Sequence, residues 1–250
     1  MKQILKYLLI LCLITSKSVA QKSNFAGVSL GSTSFRDGIS SPLRYDMPMA
    51  GLWFEHQKTN QKRLNYSSFN VNYGAKSDPN KFFQQSFQTN FSLGRLFSVA
   101  KNVYLGGEAS ANINIRLGGR FVISESNPIG ENLTLNVSPA VFWKKDFETQ
   151  KYKYRLSDTF SAAVLGLGVS GGGNPQGGTD AITTFSALNK FYNFRNSVCL
   201  DWQNQNKKSG WRLAYRWEFT TFKSPMNSQY GSSLISISKM LWKITDYFSY

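Results

Sequence analysis

The chain is poor in cysteine, histidine and charge, and each shortage excludes something. Of 250 residues only Cys12 and Cys199 are cysteines. Cys12 falls in an N-terminal stretch laid out like a secretory leader: Lys2 and Lys6, the apolar run Leu8–Ile14, then Ser18-Val19-Ala20 before Gln21. Ile10 and Leu11 stand where a lipoprotein signal would carry small residues, so cleavage after Ala20 is the expectation. Cleavage leaves Cys199 alone, and an oxidising compartment then adds no disulfide. It also removes Lys2, Lys6 and Lys17, which lowers the formal charge from +15 to +12. The leader run is far short of the roughly 20 apolar residues a spanning helix needs, and no other stretch comes nearer. Helical periodicity is absent throughout. Charged residues make up 17% of the chain, against about 25% in an ordinary soluble domain, while aromatics reach 15%. An exported chain of this kind needs a non-aqueous place for its rings.

What the chain has instead is alternation. In WRLAYRWEFTTF (211–222), Trp211, Leu213, Tyr215, Trp217 and Phe219 alternate with Arg212, Ala214, Arg216, Glu218 and Thr220. A period of two is a strand with two unlike faces. NVYLGGEASANINIRL (102–117) repeats the pattern, as do 85–94, 131–143 and 195–203. Weaker strands are expected at about 25–35, 49–57, 64–74, 151–165 and 230–242, giving ten in all. The connections sort by length. KTNQKR, VAKN, KDFETQ and NQNKKSG are short, whereas SFRDGISSPLRYDMP, AKSDPNKFF, GGRFVISESNPIG and the run 166–194 are long, with FKSPMNSQ between. Short turns at one end and long loops at the other predict an all-β, antiparallel up-and-down transmembrane β-barrel of about ten strands. Eight or twelve would satisfy the same pattern. Residues 1–20 are then the leader and 21–250 a single outer-membrane barrel domain.

Alternation alone does not say which face looks inward. Volume does: an interior of roughly ten strands does not take Trp, Tyr and Phe from most strands at once. The polar faces are rich in Ser, Asn, Gly and Ala, which suits an enclosed lumen. Trp53, Tyr73, Trp143, Tyr152, Tyr154, Trp202, Trp211 and Trp242 collect towards strand ends, as interfacial girdles do, although Trp53 has inward parity. Asp158 on the lipid-facing parity, and Ser67-Ser68 within the third strand, break the pattern and would fit a bulge or a misplaced strand boundary. The alternative is a secreted soluble β-barrel or sandwich with the aromatics as its core. The leader, the ten alternating strands and the aromatic-, Asn- and Ser-rich composition resemble small outer-membrane barrels of the Bacteroidetes group. No family motif marks a function, so none is carried over.

The inward parity gathers a candidate lumen charge network: Glu55, Glu108, Arg116, Lys153, Arg155, Arg195, Asp201, Arg212, Arg216 and Glu218. Enclosed charges need partners or water. Arg212, Arg216 and Glu218 can meet Asp201 on the preceding strand, and similar pairs can form around Glu108. Such a network either plugs the lumen or, with six basic groups against four acidic, lines a narrow channel for anions.

His56 is the only histidine. A serine hydrolase needs such a base, but His56 has outward parity at a turn and no acidic group to orient it, so it reads as an interfacial side chain. One histidine and one cysteine also make a poor metal set. No catalytic, metal or cofactor site is expected, and the chain is not read as an enzyme. GLGVSGGGNPQGGTD (166–180) lacks the Lys-Ser or Lys-Thr of a phosphate cradle and reads as a mobile loop. Its continuation, 181–194, is apolar enough to fold on the rim. Nucleic acid is set aside, because the basic residues are not interleaved with aromatics. Lys58, Lys62, Arg63, Lys144, Lys145, Lys207 and Lys208 cluster at the short turns, where anionic lipid or envelope partners are the expected contacts. Arg36, Arg44 and Arg120 lie where lipopolysaccharide phosphates would be. The working expectation is a structural or surface-binding barrel acting through its long loops, with a narrow small-solute or ion pore as the alternative.

Overall fold

The computed structural model describes residues 21–37, 41–60, 62–77, 82–120, 129–173, 179–187, 190–206, 209–222 and 228–243. The leader lies outside the described residues. Twelve strands follow one another: β1 (Gln21–Asp37), β2 (Ser41–Thr59), β3 (Arg63–Ser77), β4 (Phe82–Ala100), β5 (Val103–Arg120), β6 (Ile129–Glu148), β7 (Tyr152–Ala162), β8 (Leu165–Gly173), β9 (Thr179–Ala187), β10 (Phe191–Asn204), β11 (Gly210–Phe222) and β12 (Ser228–Lys243). All pair antiparallel. The ring runs β5-β4-β3-β2-β1-β12-β11-β10-β7-β6, and the β5–β6 pairing closes it into a barrel of ten strands. Closure leaves the ring no unpaired edge, the condition for a sheet to stand in hydrocarbon.

β8 and β9 are the upward continuations of β7 and β10. β6 pairs with β7 along Ala140–Glu148 and with β8 along Ile129–Val137. Across the break at Ala163 and Val164, the amide of Ala163 donates to the Asn193 carbonyl and that of Val164 to the Val137 carbonyl. The buried ring of Phe191 fills the fork. It lies so close to Gly166 that a β-carbon there would stand 2.4 Å from it. The stretch expected as a mobile glycine-rich loop is therefore largely the β8–β9 hairpin, with 174–178 outside the described residues. Glycine strands hold where a neighbour must approach the backbone closely.

The faces divide as the volume argument requires. Trp211, Leu213, Tyr215 and Trp217 are 43%, 43%, 45% and 39% exposed on the outer wall. Ser29, Asn72, Ser92, Asn136 and Arg212 are buried on the inner one. At both ends the interior turns apolar. Near the short turns, Leu64, Leu96, Tyr104 and Phe142 pack inside, while the outside is mixed, with Arg63, Arg95 and Lys145 exposed beside Phe97 and Val99. The long-loop end goes further and reverses. Near the long-loop end, Phe35, Met47, Met49 and Leu234 pack inside while Arg36 and Asp46 are exposed. The wall leaves the apolar zone and continues as a water-facing sheet with an apolar interior. Much of what reads as loop is thus strand: of the run 34–48 only 38–40 falls outside β1 and β2.

Neither expected irregularity is a bulge. The ladder is in regular register through Asp158, which accepts a hydrogen bond from Asn196 at 2.7 Å. It is equally regular through Ser67 and Ser68, where Ser68 meets Ser92 inside the barrel at 2.6 Å. The tight β4–β5 turn rests on Asn102, whose φ of 66° lies in the left-handed region that asparagine tolerates better than most residues.

Candidate functional site: the charged lumen

Two ionic clusters cross the lumen. The lower one centres on Arg212 of β11, which is fully buried. Its guanidinium grips Asp201 on β10 through two hydrogen bonds of 2.5 and 2.8 Å, the bidentate geometry that suits arginine. Arg212 also donates to Glu55 on β2, two strands beyond β12 in the ring, and lies 3.7 Å from the centroid of the Phe25 ring. Arg216, two inward positions up β11, lies 3.6 Å from the second oxygen of Glu55 and over the ring of Trp53. Trp53 points inward, as its parity says, and belongs to no girdle. Gln57 donates to Glu55 at 2.6 Å.

The upper cluster centres on Glu108 of β5. It accepts from Arg195 on β10 at 2.7 Å, from the Tyr66 hydroxyl on β3 at 2.5 Å and from Ser161 on β7 at 3.2 Å. Tyr66 reaches it by lying across Gly94, where a β-carbon would stand 2.2 Å from the ring. The other Arg195 amine donates to Asn90 on β4 at 2.7 Å, and its Nε is 3.8 Å from Glu218. Glu218 in turn accepts from Asn193 at 3.0 Å.

Of the remaining candidates, Arg155 forms a bidentate pair with Asp146 at 2.6 and 2.9 Å near the short turns. Asp146 was not foreseen, because it falls within the stretch KDFETQ assigned to a turn. Arg116 is buried higher up, with its guanidinium 4.8 Å from the Phe35 ring centroid. Lys153 is half-buried at the end of β7 and takes no part in either cluster. Lys144, expected at the lipid surface, is buried on the inner wall with its ammonium 6.0 Å from the Tyr104 ring, because its position in β6 has inward parity. Lys207 and Lys208, and the side chains of Arg44 and Arg120, lie outside what the structure describes.

The clusters leave two small chambers. One of about 70 Å³ lies towards the long-loop end, among Asn70, Asn72, Asn90, Asn112 and Asn114. One of about 90 Å³ lies below it, bounded by Glu55, Glu108, Arg195 and Arg216. Each is large enough for a few waters. Gln88 ties the wall together above, donating to Thr33 at 3.0 Å and accepting from Tyr230 at 2.6 Å. Among the described residues no group of three or more His, Cys, Asp or Glu is placed to hold a metal ion.

The outer wall carries a girdle in register. Phe147, Tyr154, Trp202, Trp211 and Lys239 are successive cross-strand partners on β6, β7, β10, β11 and β12, and the Phe147 and Tyr154 rings stack at 5.2 Å. Amphipathic rings at one level mark a membrane interface.

No protein-family model and no curated protein matches the chain. Solved structures do. The outer-membrane protease OmpT from Escherichia coli aligns at a TM-score of 0.51 and 8% identity, over 90% of this chain and 96% of that one. The fold is that of an outer-membrane β-barrel. The translocator domain of the autotransporter NalP from Neisseria meningitidis aligns at 0.46 and 10% identity, over 93% and 92% of the two chains. The toluene transporter TodX from Pseudomonas putida aligns at 0.38 and 4%, over 88% and 89%. At such identities only the fold is shared. A soluble barrel with an aromatic core, the alternative read from the sequence, is not what the chain builds: between its ends the inner wall is polar and the outer wall apolar.

Proposed function

We propose that this chain is an exported outer-membrane barrel with a closed lumen, which acts as a structural or surface-binding protein through its extended long-loop end. One observation carries the reading. Arg195 and Arg212 each reach strands well around the ring, to Glu108 and Asn90 and to Glu55. Together with the inward apolar clusters at both ends, this argues for a plug rather than a path. A conducting pore would need wider space between charges than chambers of about 70 and 90 Å³. The exposed Lys58, Lys62 and Arg63 at one end suit anionic lipid head groups, and the exposed Arg36 at the other suits lipopolysaccharide phosphates.

Planar-bilayer recording tests the closed lumen. The wild-type protein is expected to give no steady conductance, and the double variant Arg195→Ala with Glu108→Ala to give one. Steady wild-type conductance would establish the narrow-pore reading in its place. Lipopolysaccharide co-purified with the protein tests the binding surface: Arg36→Ser lowers the amount retained, and no change removes that residue from the surface.

A further inference from the structure

The apolar outer wall is interrupted on the short-turn side by three polar residues in one row. Asn24 on β1 is the direct cross-strand partner of His56 on β2, and His56 of Ser67 on β3. All three have outward parity and are half-buried. Direct partners in an antiparallel pair hold their β-carbons about 4.5–5.5 Å apart, and at that spacing a hydroxyl reaches an imidazole by side-chain rotation alone. His56 Nδ1 lies 2.6 Å from Asn24 Oδ1. An amide oxygen only accepts, so Nδ1 is the donor in this bond, and in the neutral ring the lone pair is then on Nε2, on the remaining side. The β1–β12 register shifts at Asn24/Phe25, where β12 carries Leu241 as an extra residue, while the β1–β2 ladder that sets Asn24 beside His56 stays regular. The sequence offered no acidic orienter for His56. Asn24 fills that role with a neutral carbonyl.

Beyond Ser67 the same row continues as Leu93, Ala109 and Val137. A groove of about 580 Å³ runs over it, with His56 and Ser67 at one end. A second, of about 380 Å³, shares Leu93, Ala109 and Val137 and carries on over Ala111 and Leu135. The small side chains at 109 and 111 make a trough in the wall where bulkier ones stand elsewhere. Arg95 lines the first groove beside Ser67, with its Nε donating to Asn65 at 3.2 Å. A nucleophile with a base, an orienter for the base, a nearby cation and an apolar trough are the parts of an acyl-transfer site.

We propose that Asn24, His56 and Ser67 form a lipid-facing acyl hydrolase site whose substrate is an acyl ester of a membrane phospholipid. The acyl chain lies in the trough, and Arg95 meets the lipid phosphate or the developing oxyanion. Ser67 Oγ attacks the ester carbonyl carbon as His56 Nε2 takes its proton. The ester C–O bond breaks, the departing lysolipid alkoxide receives that proton, and the acyl group stays on Ser67. A water then adds to the acyl-enzyme with the same proton relay and releases a free fatty acid. Ser67 and His56 are the catalytic residues; Asn24 is a positioning residue. The site uses the outer wall only. It rests on that wall facing lipid, and not on whether the lumen conducts.

The full chain, reconstituted in phosphatidylethanolamine–phosphatidylglycerol vesicles and checked for its cold-to-boiled gel shift, provides the test. Lysolipid and fatty acid are expected in equal amounts. A fluorophosphonate probe is expected to mark Ser67 in mass spectra, and release to fall at least about 100-fold in Ser67→Ala and His56→Gln, both retaining the shift. Asn24→Ala slows labelling of Ser67, and Asn24→Asp restores it, a rescue that a merely structural role would not give. Wild-type protein that keeps the shift, yet releases no more fatty acid than Ser67→Ala and takes no label on Ser67, overturns the proposal. Label on Ser67 without vesicle hydrolysis overturns the phospholipid assignment.

Discussion

Arg212 shows how a charge is kept inside a barrel wall. It is surrounded by two carboxylates, Asp201 and Glu55, and by the face of Phe25. Removing one partner from such a pair leaves a desolvated charge behind, at a cost of about 3–5 kcal/mol. Asp201→Ala is therefore expected to destabilise the folded barrel by about that amount in urea titrations from lipid vesicles. Asp201→Ala combined with Arg212→Met should cost less than the sum of the two single changes. Additive losses would mean that the two side chains do not act as a pair. Parity in the sequence was enough to set Arg212, Asp201, Glu55, Arg195 and Glu108 on the inner wall. The Arg212–Asp201 pair on neighbouring strands was legible too, but the partner of Arg195 was not, because the Arg195–Glu108 contact joins β10 to β5 across the lumen and no local rule fixes that distance. Asn24 was missed for another reason: its strand was expected to begin at about residue 25, so no partner for His56 came into view.

At the scale of the strand, the polarity pattern changes sign along one element. On β12, Ile235 and Ile237 are exposed to the outside in mid-strand, whereas Gln229 occupies the same parity near the long-loop end. The burial of Leu234 beside Met47 and Met49 marks where the interior turns apolar. A reader of period-two patterns sees the alternation fade where it actually inverts, which is why strand ends at this side of the barrel were read as loops. The inversion has an energetic consequence. Ile235→Arg puts a guanidinium against hydrocarbon and should cost about 2–4 kcal/mol, whereas Gln229→Arg, beyond the apolar zone, should cost about 0–1 kcal/mol. Equal costs at the two positions, measured by the same urea titration, would contradict a bilayer boundary between them. The split of two ring strands at Ala163–Val164 and around residue 190 left only the weak signal of a glycine-dense run, since glycine marks loops and closely approached strands alike.

For the whole molecule the deciding property is closure. Every strand of the ring has a partner on both sides through the β5–β6 pairing, so the ring itself offers detergent no edge, and among the described residues only β9, in the hairpin above it, has a single partner strand. Inside, Arg195–Glu108, Arg212–Glu55 and Gln88–Tyr230 staple distant parts of the wall. Outside, the row Phe147, Tyr154, Trp202 and Trp211 seats it at an interface. Such a body keeps its shape in cold SDS and opens only on heating, when unfolding exposes the ladder. The outer-membrane fraction run unboiled should therefore give a band of different mobility from the boiled sample. The temperature of the shift should drop in the Arg195→Ala, Glu108→Ala double variant, because the barrel loses staples while its ladder stays intact. A single band at all temperatures, with the protein recovered from the soluble fraction, would mean that the rings of WRLAYRWEFTTF do not face lipid. The trough beside Ser67 would then have no bilayer to draw a substrate from.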